Sequence, residues 1–120
     1  MPHAPTAALI AAITDIVGPR GIITDPSDTA PYSSDWRDLY RGRTAAVVRP
    51  ASTAEVARVV RLCADAGTGI VPQGGNTSMV GGAVPAEDGS EIVLSLVRMK
   101  QVRAIDTVDL TMTVDAGLTL

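Results

Sequence analysis

Leu9, Ile13, Ile16 and Val17 recur at helical spacing near the start of the chain. This predicts an amphipathic helix capped by Thr6 and running to about Val17. Gly18-Pro19 stops it, because Gly accepts a left-handed C-terminal conformation and Pro cannot continue the helix. From residue 24 to residue 44 the pattern loses any period and reads as an irregular segment rich in Pro, Ser and Asp. Ala45 to Val48 is a short apolar strand closed by Arg49-Pro50. Ser52-Thr53-Ala54-Glu55 then reads as a capping box, with the Ser52 hydroxyl accepting the Glu55 amide and the Glu55 carboxylate reaching back. The helix it opens places Val56, Val59, Val60, Cys63 and Ala64 on one predicted stripe. Gly67 closes that helix, and Gly69-Ile70-Val71-Pro72 is a second short strand. Strand, helix and strand in about thirty residues predict a parallel βαβ unit with a right-handed crossover. Further on, Glu91 to Leu96 reads as a strand. Gln101 to Asp106 and Leu110 to Asp115 read as an antiparallel hairpin. Leu110, Met112 and Val114 alternate with Thr111, Thr113 and Asp115, the period of a half-buried strand.

Composition narrows the chemistry. The 120 residues are 46% hydrophobic and 19% charged, the mix of one small folded domain. With one Trp, two Tyr and no Phe, the core must be aliphatic. A net charge of −3 argues against a nucleic-acid partner. A single Cys, Cys63, excludes an intramolecular disulfide and a Cys-based zinc site. The only His is His3, so neither a nucleophile–His arrangement nor a His-rich metal centre is expected, and His3 itself is expected to be disordered. No stretch reads as a signal peptide or a membrane span, which makes a reducing, cytoplasmic setting the expectation.

The most informative stretch is Gln73-Gly74-Gly75-Asn76-Thr77-Ser78-Met79-Val80-Gly81-Gly82, directly after a strand. Glycines there permit close backbone approach, and successive amides can converge on an anion. Thr77 and Ser78 add hydroxyls. The loop holds no Lys or Arg, so binding is expected to rest on oriented dipoles, which suits a pyrophosphate. It lacks Gly-Lys-Ser/Thr and Gly-x-Gly-x-x-Gly, so it is neither a Walker-type loop nor the common dinucleotide fingerprint. On composition alone, a flexible surface turn is the competing reading.

Pro72 to Gly82 resembles the pyrophosphate loop of FAD-linked oxidases of the vanillyl-alcohol-oxidase/PCMH-type family, in particular its D-lactate, glycolate and D-2-hydroxyglutarate dehydrogenase branch. The resemblance extends through Asp35-Trp36-Arg37, Arg41-Gly42, Val48-Arg49-Pro50, Val93-Leu94-Ser95-Leu96, Arg98-Met99 and Thr113-Val114-Asp115-Ala116-Gly117. It implies an α+β fold: a PCMH-type FAD-binding domain with an N-terminal βαβ subdomain and the start of a β-rich second subdomain. Residues 1–44 are then an N-terminal helix and irregular segment, and 45–120 a partial FAD-binding domain. By position, the pyrophosphate role falls on Gly74, Gly75, Asn76, Thr77 and Ser78. Pro72 sets the loop's entry, and Gly81 and Gly82 let the chain pass close to the flavin. Ser78 stands where this branch often has Gly. Lys100 stands where Asn is common, and is expected to be a neutral surface change.

The family's covalent flavin anchors are His or Cys, and this loop has neither, so FAD is expected to be held non-covalently. The resemblance places the substrate half, with its Arg and His residues, outside this chain. No catalytic residue or metal ligand is therefore assigned within it, and a 2-hydroxy acid is a partner only of the complete protein. The alternative reading is a non-catalytic nucleotide- or anion-binding fragment. Of the remaining residues, Trp36 is expected as a partly buried anchor, Arg41 and Arg43 as solvated or paired with Asp35 and Asp38, and Cys63 as core packing.

Overall fold

The computed structural model describes residues 2–119. Helix α1 spans Ala7–Val17, with the Thr6 hydroxyl oxygen accepting the Leu9 amide at 3.1 Å. It ends at Gly18, whose φ is +74°. A two-residue strand β1 (Ile22–Ile23) precedes the segment expected to be irregular, which itself carries a one-turn helix α2 (Pro26–Thr29) and a 3-10 turn at Ala30–Tyr32. Strand β2 is Val47–Val48, helix α3 is Thr53–Ala66, β3 is Gly69–Gln73 and β4 is Glu91–Ser95. The hairpin follows as β5 (Val102–Asp106) and β6 (Thr111–Val114).

The predicted cap of α3 forms with one change. Ser52 Oγ accepts the Glu55 amide at 3.2 Å, but the Glu55 carboxylate accepts from Ala51 at 2.6 Å, one residue farther back than Ser52. Gly67 ends α3 in the left-handed region at φ +67°, and Thr68 donates back to Cys63 O at 2.9 Å. His3 is placed: its amide donates to Gly67 O at 2.9 Å, which ties the start of the chain to the end of α3.

The main sheet has the order β1-β2-β4-β3. Strands β2, β4 and β3 are parallel, and β1 adds an antiparallel edge through Ile22–Val48 and Ile23–Val47 pairs. The two strands of the predicted βαβ unit are thus not neighbours. The crossover through α3 skips a position that β4 fills. On the helical side, Leu9, Ile13 and Val17 of α1 and Val59 and Cys63 of α3 close a core with Ala46, Val48, Ile92 and Leu94. Val47, Val93 and Val71, aligned across three strands, are also buried. A parallel sheet covered on both faces explains why β2 and β4 read as unbroken apolar runs.

Two expectations about burial are corrected. On α3 the buried stripe is Val59 and Cys63, flanked by half-buried Val56 and Leu62, while Val60 is 42% exposed and Ala64 is exposed. The reason is α1, which packs beside α3 and turns that helix away from the predicted phase. Val60 and Ala64 instead line an open groove with Ala12 and Ile16 on the outside of the helical layer. The hairpin, expected to be half-buried, is exposed along both strands. It pairs only with itself, and nothing among the described residues lies across it. Leu110 falls in its turn at φ +53° rather than within the strand.

Candidate functional site

The Gly-rich loop leaves β3 at the edge of the main sheet. Pro72 does not end that strand; it sits exposed within it, opposite Leu94, and the strand runs on to Gln73. An edge strand tolerates the missing amide. Gln73 is buried, and its Nε2 donates to Tyr32 O at 3.0 Å and to Ala83 O at 2.9 Å. One side chain therefore pins the root of the loop to the 30–32 turn and to the chain just beyond Gly82.

The middle of the loop is braced by residues 33–42. Asn76 adopts φ +53° and donates through Nδ2 to Ser34 O at 2.8 Å. Arg37 Nη2 donates to Met79 O at 2.8 Å. Gly81 adopts φ +76°, and a Cβ there would lie 2.9 Å from the Tyr40 ring. Its lack of a side chain is thus accounted for within the chain by Tyr40. Gly82 faces open space.

The brace is itself held by Asp35. This buried carboxylate accepts the amides of Leu39 at 2.7 Å and Tyr40 at 2.9 Å. Those backbone donors, Tyr40 foremost, lower its pKa against the cost of burial. Asp35 thus pairs with backbone and not with an Arg. Arg41 pairs with Asp38, and Arg43 Nε donates to Glu87 O at 2.9 Å. Trp36, expected as an anchor, is 61% exposed. The turn is fixed by the Asp35 hydrogen bonds and does not need the indole to hold it.

Gly74 and Gly75 are exposed and face residues 116–119 across a hollow of about 230 Å³. The far wall is the turn at Asp115–Gly117, which packs tightly on the 96–99 turn. Gly117 N donates to Met99 O at 3.0 Å, and a Cβ on Gly117 would fall 1.8 Å from Leu96 O. Asp115 fastens the hairpin to this wall. It accepts the Gln101 amide at 3.0 Å and Arg103 Nε at 2.6 Å, and these bonds, the Gln101 amide first, lower its pKa.

The loop residues fit a flavin dinucleotide on three counts. A Cβ on Gly74 or Gly75 would meet nothing closer than 3.9 Å, so the space in front of both belongs to no part of the chain. Asn76 Oδ1 is buried with no hydrogen-bond partner, whereas Nδ2 is committed to Ser34. A dinucleotide carries both acceptors for backbone amides and sugar hydroxyls able to donate to such an oxygen. Thr77 is exposed, and Ser78 Oγ accepts only a long 3.4 Å contact from Val80, so both hydroxyls retain a proton to donate. The wider groove on the helical layer offers no comparable set; its lining is mostly aliphatic. No helix among the described residues is long and apolar enough to cross a membrane, and no group of three or more His, Cys, Asp or Glu among them could hold a metal ion.

Comparisons with known proteins agree with this arrangement. The family model described as "FAD binding domain" matches residues 44–120. The mitochondrial D-2-hydroxyglutarate dehydrogenase of Bos taurus is 40% identical over 111 residues, covering 92% of this chain and 20% of the relative. The D-2-hydroxyglutarate–pyruvate transhydrogenase of Saccharomyces cerevisiae is 42% identical over 95 residues, 79% of this chain and 19% of the relative. A Schizosaccharomyces pombe protein provisionally named a mitochondrial D-lactate dehydrogenase is 40% identical over 97 residues, 81% of this chain and 18% of the relative. The chain thus spans about a fifth of the length of these relatives. Among solved structures, p-cresol methylhydroxylase with substrate bound superposes with a TM-score of 0.81 at 18% identity, over 99% of this chain and 25% of that one. Alkyldihydroxyacetonephosphate synthase gives 0.77 at 21% identity, over 92% and 22%. The fold is that of the PCMH-type FAD-binding domains, and the chain belongs to the FAD binding domain family.

Proposed function

We propose that these residues form the FAD-cradling part of a flavin-dependent dehydrogenase that oxidises a D-2-hydroxy acid to the 2-oxo acid. The observation that carries the reading is the empty space before Gly74 and Gly75, framed by Asn76, Thr77 and Ser78, in a chain whose relatives bear D-2-hydroxy-acid dehydrogenase names. Gly74, Gly75, Asn76, Thr77 and Ser78 hold the pyrophosphate. Pro72 aligns the strand that delivers the loop, Gly82 lets the chain run beside the cofactor, and Gly81 serves that path by letting the loop close on the Tyr40 ring. Bound FAD supplies a hydride acceptor, while the residues here orient it and exclude water from its phosphate side.

Non-covalent attachment is part of the same reading, supported by a loop free of His and Cys. The residues that take the substrate's carboxylate and α-proton are placed outside these 120 residues. We place the sequence boundary between the N-terminal segment and the FAD-binding domain at 44/45, within a residue of the start of the family match; α1 and β1 of that segment pack into the same core and sheet. The cytoplasmic setting read from the sequence is kept as part of the proposal; the single buried thiol fits any reducing compartment, and the names of several relatives place those proteins in mitochondria. Fractionation of tagged gene product decides this.

The test of function uses the complete gene product. Apoprotein is titrated with FAD and then mixed anaerobically with D- and L-2-hydroxyglutarate and with D- and L-lactate. Bleaching of the flavin by a D-acid, with little by its L-enantiomer, is expected. No bleaching by any 2-hydroxy acid refutes the activity. Gly75→Val is expected to lower FAD content far more than Ser78→Ala; equal, negligible effects refute the loop assignment.

A further inference from the structure

The Gly-rich loop contains no cation, yet the pyrophosphate it is proposed to hold is anionic. The nearby guanidinium groups are already engaged: Arg37 on Met79 O, Arg98 on Arg49 O, and Arg103 on Asp115. Lys100, the only lysine in the chain, is different. It lines the hollow opposite Gly74 and Gly75, and it makes no ion pair or side-chain hydrogen bond among the described residues. Among the described residues, no Asp or Glu lines that hollow.

Its backbone is fixed on both sides. Met99, before it, is buried, donates to Leu96 O at 2.9 Å and accepts from Gly117 at 3.0 Å. Gln101, after it, donates to Asp115 Oδ2 at 3.0 Å and accepts from Asp115 N at 2.8 Å. Val97 and Leu118 line the same hollow, and a lysine stem can lie on apolar surface of that kind while its ammonium stays in water.

We propose that Lys100 is a cofactor-binding residue whose ammonium pairs with the FAD pyrophosphate from the side opposite the loop amides. The inference rests on the pyrophosphate lying at Gly74 and Gly75. It replaces two sequence expectations, that Lys100 is neutral and that the site works on dipoles alone. Lys is suited to the task because a flexible stem carrying a compact charge can follow a phosphate without a fixed fork geometry.

The test is FAD titration of the complete apoprotein by fluorescence quenching, for wild type, Lys100→Met and Lys100→Arg, at low and high salt. Lys100→Met is expected to weaken binding by about tenfold at low ionic strength, as for one partly screened ion pair, with the gap closing at about 1 M salt. Lys100→Arg keeps the charge and is expected to stay within about twofold of wild type. Because Lys100 is exposed, the apoprotein melting temperature should not move.

A second readout is acetylation of Lys100, followed by peptide mass spectrometry. Protection by FAD and none by riboflavin, which lacks phosphate, is expected. Equal affinity of wild type and Lys100→Met at low salt overturns the proposal. So does a loss that salt does not diminish, or equal labelling with and without FAD. A wild-type protein that takes up FAD while Lys100→Met matches it refutes only the lysine's role. A wild-type protein that takes up no FAD refutes the cofactor site as well.

Discussion

Gly117→Ala separates the wall of the site from its ligand-facing loop. A Cβ at residue 117 would lie 1.8 Å from Leu96 O, 2.6 Å from Met99 O and 2.7 Å from Leu96 C, all backbone atoms. Leu96 O has to retreat by more than 1 Å to reach even 3.0 Å, the lower limit of real Cβ contacts. It cannot do so alone. Leu96 O accepts the Met99 amide at 2.9 Å, Leu96 N donates to Gln73 O at 3.0 Å, and Gly117 N donates to Met99 O at 3.0 Å. Losing or stretching two of these bonds costs about 2 kcal/mol, and overpacking adds about 1–3 kcal/mol, for a total of about 3–5 kcal/mol. Gly74→Ala is the control. Its Cβ meets only Ala116 O, at 4.0 Å, and the site is exposed. That change should cost within about 0.5 kcal/mol of apoprotein stability. Urea unfolding of the two complete apoproteins, followed by FAD titration, measures both quantities. Gly117→Ala should shift the midpoint strongly, while Gly74→Ala should leave it in place and weaken FAD. A wild-type midpoint for Gly117→Ala, or equal shifts for both variants, refutes the packing argument.

Val59→Ala removes two fully buried methyl groups and should destabilise by about 2 kcal/mol, after crediting the better helix propensity of Ala. Val60→Ala, one residue on and 42% exposed, should be near neutral; equal losses by thermal melting would show that the phase of α3 is misassigned. Asp35 and Asp115 both have pKa values held below the ordinary 3.8 in the folded protein. Their stabilisation is full above that value, where the unfolded chain is also ionised, and is lost as pH falls through the lower folded values. The acid limb of a stability–pH curve should therefore flatten in an Asp35→Asn/Asp115→Asn variant, and an unchanged limb counts against the backbone donors as its cause. Residues 1–120 expressed alone should show no turnover of D-lactate or D-2-hydroxyglutarate with an artificial electron acceptor, since their one His lies at residue 3; measurable turnover would relocate the chemistry into this segment.

Local signals were the legible ones. The Thr6 and Ser52 caps, the Gly18 and Gly67 stops and the strands around Val47, Val71 and Val93 depend on residues close in sequence, and each stands within a residue or two of its expected place. What escaped depends on distant partners. Strand β1 is two residues long and exists because Val47 and Val48 offer it an edge. The position of β4 between β2 and β3 is invisible to any local period. The phase of α3 was set by α1, and the exposure of Trp36 by the Asp35 turn. At the site, the Gly-rich stretch stood out by composition. The brace from Ser34, Arg37 and Tyr40 did not, although Asp35-Trp36-Arg37-Asp38 carries the local signal of an Asx-type turn. That Lys100 lines the same hollow as Gly74 and Gly75 was not legible either, because those neighbours come from before β4 and from after β6.

The strand order has a consequence for how the chain matures on the ribosome. Residues 7–73 emerge first, yet β2 and β3 share no ladder with each other; each is paired through β4, which is synthesised later. Until Val93 and Leu94 appear, Val47, Val48 and Val71 have a vacant slot between them, and α1 and α3 can rest only on a split surface. Until β4 has emerged, the nascent segment leaves the apolar sides of β2 and β3 without their shared partner strand. Because the ribosomal tunnel encloses the most recently joined residues, a synonymous-codon slowdown that stalls the chain before β4 has cleared the tunnel would lengthen that interval, whereas one placed after β4 has emerged would fall when the sheet can already close. Pause position, not pause length alone, therefore governs aggregation during synthesis.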